Sequence, residues 1–187
     1  GAGKTTLFNV VTGFIDPEEG SVLLKGSDVT RLAPYKLARR GIARTFQDLR
    51  LIRQLSVLDN LLVSFQDQPG ENLWNAFFRW KKVRQHEATN RREAMRLLEE
   101  AGLAEKAGDP ADNLSYGQQK LLSLVCCLAA KADLLLLDEP VAGIAPEMRQ
   151  KILGIIRALG VTGKSVVLIE HDLDAVIQTC DRVVFMD

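Results

Sequence analysis

Apolar positions along this 187-residue chain change their period twice. Leu7, Val10 and Val11 recur at helical spacing behind Lys4-Thr5-Thr6, and Gly13 suits a C-terminal cap. The stretch from Gly20 to Gly26 reads as a strand between turn residues, Pro34 to Arg40 as a short helix, and Ile42 to Phe46 as a strand ending at Gln47. From Ser56 the period turns helical and stays so to about Lys131. Ser56 has the position of an N-cap with Asp59 in the first turn. Alternation then resumes, with a strand over 133–137, a helix over 146–159, a strand over 165–169, a helix over 173–179 and a last strand from Arg182. Ala132 to Leu137 is apolar throughout except Asp133, which suits a central parallel strand buried on both faces.

Strand-helix segments on both sides of an all-helical block imply an α/β fold, a parallel-sheet core with an inserted all-α subdomain. The core is expected over 1–47 and 132–187 and the insert over 48–131. Within the insert, Trp74, Phe77 and Phe78 stand at i, i+3 and i+4 beside Arg79, Lys81, Lys82 and Arg84. This reads either as an amphipathic helix with a packed aromatic face and a solvated basic face, or as a helix near a membrane surface or membrane partner.

Two distant fragments carry the chemistry. Gly1-Ala2-Gly3-Lys4-Thr5-Thr6 runs straight into a helix. Glycines let backbone N–H groups approach phosphates without Cβ clashes, and the helix turns its positive end toward them. Lys4 would reach the β- and γ-phosphates of a nucleoside triphosphate, and the Thr5 hydroxyl would coordinate magnesium. The full phosphate-loop pattern needs a glycine and a strand ahead of Gly1, so truncation at the N-terminus is expected. A chain ending in or just after a strand suggests truncation at the C-terminus as well. The second fragment, Leu134 to Pro140, delivers adjacent carboxylates to a strand tip. Asp138 would hold the magnesium, directly or through water, and Glu139 would polarise an attacking water.

Composition narrows the class. Lys plus Arg equals Asp plus Glu at 24 each, so no nucleic-acid footprint is visible in the charge. No apolar run approaches the ~20 residues needed to span a bilayer. Three cysteines, Cys126, Cys127 and Cys180, lack zinc-type spacing and read as small buried residues in a reducing compartment. His86, in the charged insert, reads as a surface residue.

Leu114-Ser115-Tyr116-Gly117-Gln118-Gln119 opens a long helix, with Ser115 and Gln118 at capping-box spacing. A serine, a glycine and a positive helix end also make a second phosphate-binding device. One domain does not need two such devices for one γ-phosphate, whereas a head-to-tail dimer would use both.

With these motifs in order, the chain resembles the nucleotide-binding subunits of ABC transporters over essentially its whole length. Gly3-Lys4-Thr5 matches the end of Walker A, Gln47 the Q-loop glutamine, Leu114 to Gln118 the signature motif, Leu134 to Glu139 Walker B with the catalytic glutamate, and His171 the switch histidine. The resemblance implies a P-loop NTPase core with an inserted signature subdomain. ATP would be bound by Gly1, Ala2, Gly3, Lys4, Thr5 and Thr6, with Ser115, Gly117 and Gln118 acting across a dimer. Magnesium would be held by Thr5, Gln47 and Asp138. The catalytic set would be Glu139, His171 and Gln47. The implied partners are a second ATPase subunit, transmembrane permease subunits and, through them, a periplasmic substrate-binding protein. The implied location is peripheral, on the cytoplasmic face of the inner membrane.

Ala43 to Leu51, Leu114 to Gln119 and the insert at 70–92 look like the branch serving branched-chain amino-acid importers. Urea and short-amide importers and a lipopolysaccharide-export ATPase share much of the pattern. The chain departs from it at Tyr116, where glycine is commonest, at Lys120, where arginine is frequent, and at Ala145, where the D-loop usually carries aspartate or asparagine. Ala145 alone favours a non-hydrolysing regulatory partner, and the retained Glu139 and His171 oppose it. A DNA-repair or translation machine would need long coiled-coil heptads or a second cassette, and the chain shows neither.

Overall fold

The computed structural model describes residues 3–47, 49–66 and 80–186, with the side chains of 80–82 left aside. The chain forms two compact units, one from Gly1–Asp48 with Ala132–Asp187 and the other from Leu49–Lys131.

The first unit is α/β. Helix α1 (Lys4–Val11) is followed by a hairpin of β1 (Leu23–Leu24) and β2 (Ser27–Asp28), helix α2 (Pro34–Arg39) and strand β3 (Ile42–Arg44). After the insert come strands β4 (Leu134–Asp138) and β5 (Ser165–Ile169). β3, β4 and β5 form a parallel sheet in that spatial order. The register sets Ile42 beside Leu134 and Arg44 beside Leu136 on one side of β4, and Asp138 beside Ile169 on the other. All three strands therefore end at one edge, where ligands of open α/β sheets bind. β4 is central and buried from Leu135 to Asp138, which is why its sequence is a continuous apolar run rather than an alternating one. Phe8, Val29, Leu37, Ile42, Leu136 and Ile169 make the core cluster that packs α1 and α2 on the sheet.

Three features differ from the sequence expectation. The strand over Gly20–Gly26 is a hairpin instead. Lys25 and Gly26 both take positive φ (50° and 79°), the two-residue turn whose twist matches paired strands. Asp133, the polar interruption before β4, lies outside the strand and pairs with Lys25 on that turn at 2.6 Å, which holds its carboxyl below the usual range. The segment from Arg182 is apolar but forms no strand, because among the described residues nothing pairs with its backbone; Val184 and Phe185 are 73% and 82% exposed.

Beyond β4 and β5 lie helices α6 (Pro146–Val161) and α7 (Leu173–Thr179). Pro146 opens α6, where a missing N–H costs nothing, and the Asp172 side chain caps α7 by accepting from Ala175 N. Ala145 is the N-cap residue of α6 and makes no side-chain cap bond.

The second unit is helical, with α3 (Val57–Val63), α4 (Trp80–Glu100) and α5 (Tyr116–Ala129). Short 3-10 turns at Ala104–Lys106 and Ala111–Asn113 interrupt the expected run of helices. Ser56 caps α3 by accepting from Asp59 N. Buried Asn60 stitches the preceding loop to α3, accepting from Ile52 N and donating to the Ile52, Leu55 and Ser56 carbonyls. α3 packs on both α4 and α5, and Leu61, Leu98, Leu121 and Leu122 of these helices are buried. Trp74, Phe77, Phe78 and Arg79 lie outside the described residues. His86 is half-buried, with Nδ1 near Asn90 Nδ2 at 3.3 Å.

The cysteines are free thiols. Burial pushes Cys126 up to about 11 and Cys127 up to about 12, with the Cys126 charge adding to the latter. A thiol whose folded pKa is raised favours folding while it is neutral. That contribution is whole below the ordinary value of 9.0 and is lost as pH climbs through the folded values. Between pH 9 and about 12, stability in urea should therefore fall less steeply in Cys127→Ala than in the parent chain. A second expectation concerns Gly13, whose φ is +72° and whose added Cβ would sit 2.3 Å from Leu32 O. Gly13→Ala should destabilise by more than about 2 kcal/mol in urea unfolding, since left-handed strain and a backbone clash add.

Candidate functional site

Outside Ser115, Gly117 and Gln118, the expected site residues lie on four segments of the α/β unit: the start of α1 and the ends of β3, β4 and β5. Gly3 takes the left-handed conformation (φ 74°) at the N-cap, and its carbonyl accepts from Leu7 N to begin α1. Lys4 is half-buried, and Thr5 and Thr6 are exposed at the helix start. Gly1 and Ala2 lie outside the described residues. Gln47, past β3, is exposed.

The tips of β4 and β5 bring two expected catalytic residues together. Glu139 Oε1 and His171 Nε2 are 3.2 Å apart, with the Glu139 side chain 22% and the His171 side chain 66% exposed. Glu139 is one of few non-glycine residues here with positive φ (48°). Its N–H donates to Ile169 O, continuing the β4–β5 ladder, and its carbonyl accepts from Ala142 N. The chain thus turns sharply after Asp138, sending Glu139 toward the β5 tip. A carboxylate facing an imidazole, open to solvent on one side, can accept a proton from water or a hydroxyl.

Asp138 is buried, and it is organised by a residue that sequence reasoning passed over. Arg44, at the end of β3, donates from Nη2 to Asp138 Oδ2 at 3.3 Å, with side chains only 5% and 2% exposed. Its Nη1 donates to Asn9 Oδ1 (2.7 Å) and Thr12 Oγ1 (3.1 Å), both on or just after α1. The guanidinium lies 5.4 Å from the Phe8 ring centroid and 4.8 Å from that of Phe46. One planar cation therefore ties the phosphate-loop helix, β3 and β4 into one body. Thr45 adds a second tie, its hydroxyl accepting from Asp138 N at 3.1 Å. Arg44 lies in the stretch Ala43 to Leu51, but its hydrogen-bond partners Asn9, Thr12 and Asp138 are all distant in sequence, so no local pattern announced it.

Thr5 hydroxyl, the Gln47 amide oxygen and one Asp138 carboxylate are hard oxygen donors. No group of three or more His, Cys, Asp or Glu that could hold a metal is found among the described residues. A set of oxygen donors with one carboxylate fits magnesium, which dehydrates reluctantly and is bound through one or two carboxylates beside phosphates and water.

Ser115, Gly117 and Gln118 belong to the helical unit, at the start of α5. The capping box forms: Gln118 N donates to Ser115 Oγ at 3.3 Å, and Ser115 N to Gln118 Oε1 at 3.0 Å. Gln119 Nε2 donates to the Ala111 and Leu114 carbonyls, fixing the loop ahead of the cap. The two departures nearby answer one another, since the ammonium of buried Lys120 lies 5.3 Å from the Tyr116 ring centroid.

A parallel sheet whose shared edge carries paired carboxylates and a histidine, preceded by a Gly-Lys-Thr helix start, defines a P-loop ATPase. The ABC transporter family profile matches residues 1–142, and the chain belongs to that family. It is 36% identical over 188 residues to the high-affinity branched-chain amino acid transport ATP-binding protein BraF of Pseudomonas aeruginosa, covering 100% of this chain and 74% of that protein. It is 36% identical over 184 residues to LivG of Escherichia coli K12, of the same description, covering 98% of this chain and 72% of that protein. A nucleotide-free ATP-binding cassette from an ABC transporter superposes with a TM-score of 0.79 at 34% identity, over 96% of this chain and 70% of that one.

Removing Arg44 leaves Asp138 as a buried charge without its cation. Arg44→Met should destabilise by about 3–5 kcal/mol in urea, and adding Asp138→Asn should recover part of that loss. Strictly additive losses would show that the pair is not coupled.

Proposed function

We propose that this chain is the ATP-hydrolysing subunit of an importer for branched-chain or chemically related amino acids. The 3.2 Å approach of Glu139 to His171 at the sheet edge carries the hydrolytic half of this reading. The transported substrate rests on the names of relatives that match along nearly the whole chain. The permease and its binding protein would read that substrate, so nothing in this chain needs to contact it.

In this reading Lys4, at the start of α1, binds the β- and γ-phosphates together with the backbone of Gly1 to Gly3 and the Thr5 and Thr6 N–H groups. Thr5, Asp138 and Gln47 would hold magnesium. When bound, that ion neutralises charge on the phosphate oxygens. Glu139 orients water and accepts its proton, and His171 holds the γ-phosphate and keeps Glu139 aimed at it. Ser115, Gly117 and Gln118 of a second subunit would close on the same nucleotide from the other side, at the positive start of α5.

The partners are accordingly a second ATPase subunit and transmembrane permease subunits, with a binding protein reached through them. No helix among the described residues is long and apolar enough to cross a membrane. Attachment to the cytoplasmic membrane face would therefore come through the permease.

Ala145 was the feature favouring a non-hydrolysing partner. Its side chain is exposed at the α6 N-cap, while Glu139 and His171 remain paired. The substitution touches a loop end rather than the reacting groups.

Glu139→Gln should retain ATP binding while turnover falls by roughly 10²–10⁴-fold, the usual contribution of a positioned base. Light scattering should then show a dimer that forms only with ATP and magnesium. Normal turnover in this variant would remove Glu139 from the mechanism. Binding without any dimer would point instead to an unlike partner subunit.

A further inference from the structure

Glu139 holds a left-handed backbone that a glutamate adopts only under constraint, and the constraint has a visible source. Its own N–H and carbonyl are engaged with Ile169 O and Ala142 N. The turn then continues through Pro140, which has no N–H, to Val141. Val141 N donates to Glu170 Oε1 at 3.1 Å. The other oxygen of the same carboxylate, Glu170 Oε2, accepts from His171 N at 3.2 Å. One half-buried carboxylate thus grips the backbone of both loops that carry the reacting side chains, two residues past Glu139 on one side and at His171 on the other.

From this geometry we infer that Glu170 is a positioning residue for hydrolysis. It fixes the separation of Glu139 and His171 by joining the β4 and β5 tips through a two-oxygen bridge. A carboxylate suits this position because it offers only acceptors, and both groups facing it are N–H donors. A glutamine of the same size would present an amide NH₂ to one of those N–H groups and lose that bond. An aspartate is shorter by one methylene and cannot span both loops. The anchoring continues away from the site, where Asp172 Oδ1 accepts from Arg149 Nη2 at 2.8 Å and from Ala175 N at the start of α7. The segment 170–172 is therefore held on both sides, toward the turn after β4 and toward α6 and α7. Glu170 acts through the backbone, by its bonds to Val141 N and His171 N.

The inference rests on the hydrolytic reading of Glu139, so its test separates the two. Steady-state ATP hydrolysis, binding of a fluorescent ATP analogue and amide hydrogen exchange are measured for the protein, Glu170→Gln, Glu170→Ala, Glu139→Gln and the Glu139→Gln/Glu170→Ala pair. Glu170→Ala should lower kcat by roughly 10- to 100-fold, the scale of a reacting group displaced by about 1 Å, while KM and analogue affinity stay within about twofold. Glu170→Gln should fall between it and the parent. In the Glu139→Gln background, loss of Glu170 should cost little further rate, because a residue acting through Glu139 has nothing left to position. The Val141 and His171 amides should exchange faster in Glu170→Ala, whatever the rate of hydrolysis.

Unchanged kcat in Glu170→Ala, or rate losses that multiply fully in the pair, would overturn the inference. So would a parallel loss of nucleotide affinity, which a general structural role would produce. If Glu170→Ala does not fold, the same readouts on Glu170→Gln decide. Normal hydrolysis by Glu139→Gln would instead defeat the hydrolytic reading, and the exchange of Val141 and His171 would still report whether the bridge exists.

Discussion

Arg44 and Asp138 form a charge pair withdrawn from water at the end of two neighbouring parallel strands, and the site is assembled around it. A buried carboxylate without a cation would be costly, and a buried guanidinium without acceptors equally so. Here the two meet, and Nη1 of the guanidinium is directed to Asn9 and Thr12. Exchanging the pair for apolar residues could leave the unit as stable. What that exchange would lose is orientation. A planar fork with fixed directions sets α1 against β3 and β4, so the phosphate-loop helix and the Asp138 tip cannot move independently.

Around that fixed point, the sheet edge divides its work between rigidity and reach. Asp138 is held by Arg44 and Thr45 and hidden. Glu139, one residue on, leaves the strand in a left-handed turn and becomes partly exposed. Alternation along a strand would have sent consecutive side chains to opposite faces of the sheet. The turn breaks that rule, so neighbouring carboxylates can serve separate tasks, one held in the protein and one facing water and His171. Strain of this kind persists only where the surroundings over-determine it, and the backbone bonds of Ile169, Ala142 and Val141 do so here.

Much of this was legible in the sequence wherever the decisive signal was local. β5 and α7 fall on the expected boundaries because Lys164 and Asp172 sit next to abrupt changes of period. The capping box at Ser115 and Gln118 depends on two side chains three residues apart and appears as read. The hairpin at Lys25-Gly26 was missed because both of its strands are only two residues long and the second, Ser27-Asp28, carries no apolar signal. The stretch after Arg182 has the composition of a strand, but a strand exists only through a neighbour's hydrogen bonds, and composition does not supply one. Arg44 and Glu170 were invisible for a related reason. Arg44 meets groups 32, 35 and 94 residues away, and Glu170 meets Val141 across 29.

The same contrast explains how the site tolerates its departures from the family pattern. Tyr116 and Lys120 are unusual individually, yet they stand one helical turn apart on α5 and stack on each other. Their joint replacement keeps a cation packed in the helical unit without disturbing Ser115 or Gln118, whose bonds run to each other. Ala145 has no such partner, and its cost is a bare N-cap at α6. Departures that touch only a helix end or a paired surface leave the sheet edge unchanged. A change at Arg44 or Glu170 would have no comparable local remedy, because each joins segments that the chain brings together only on folding.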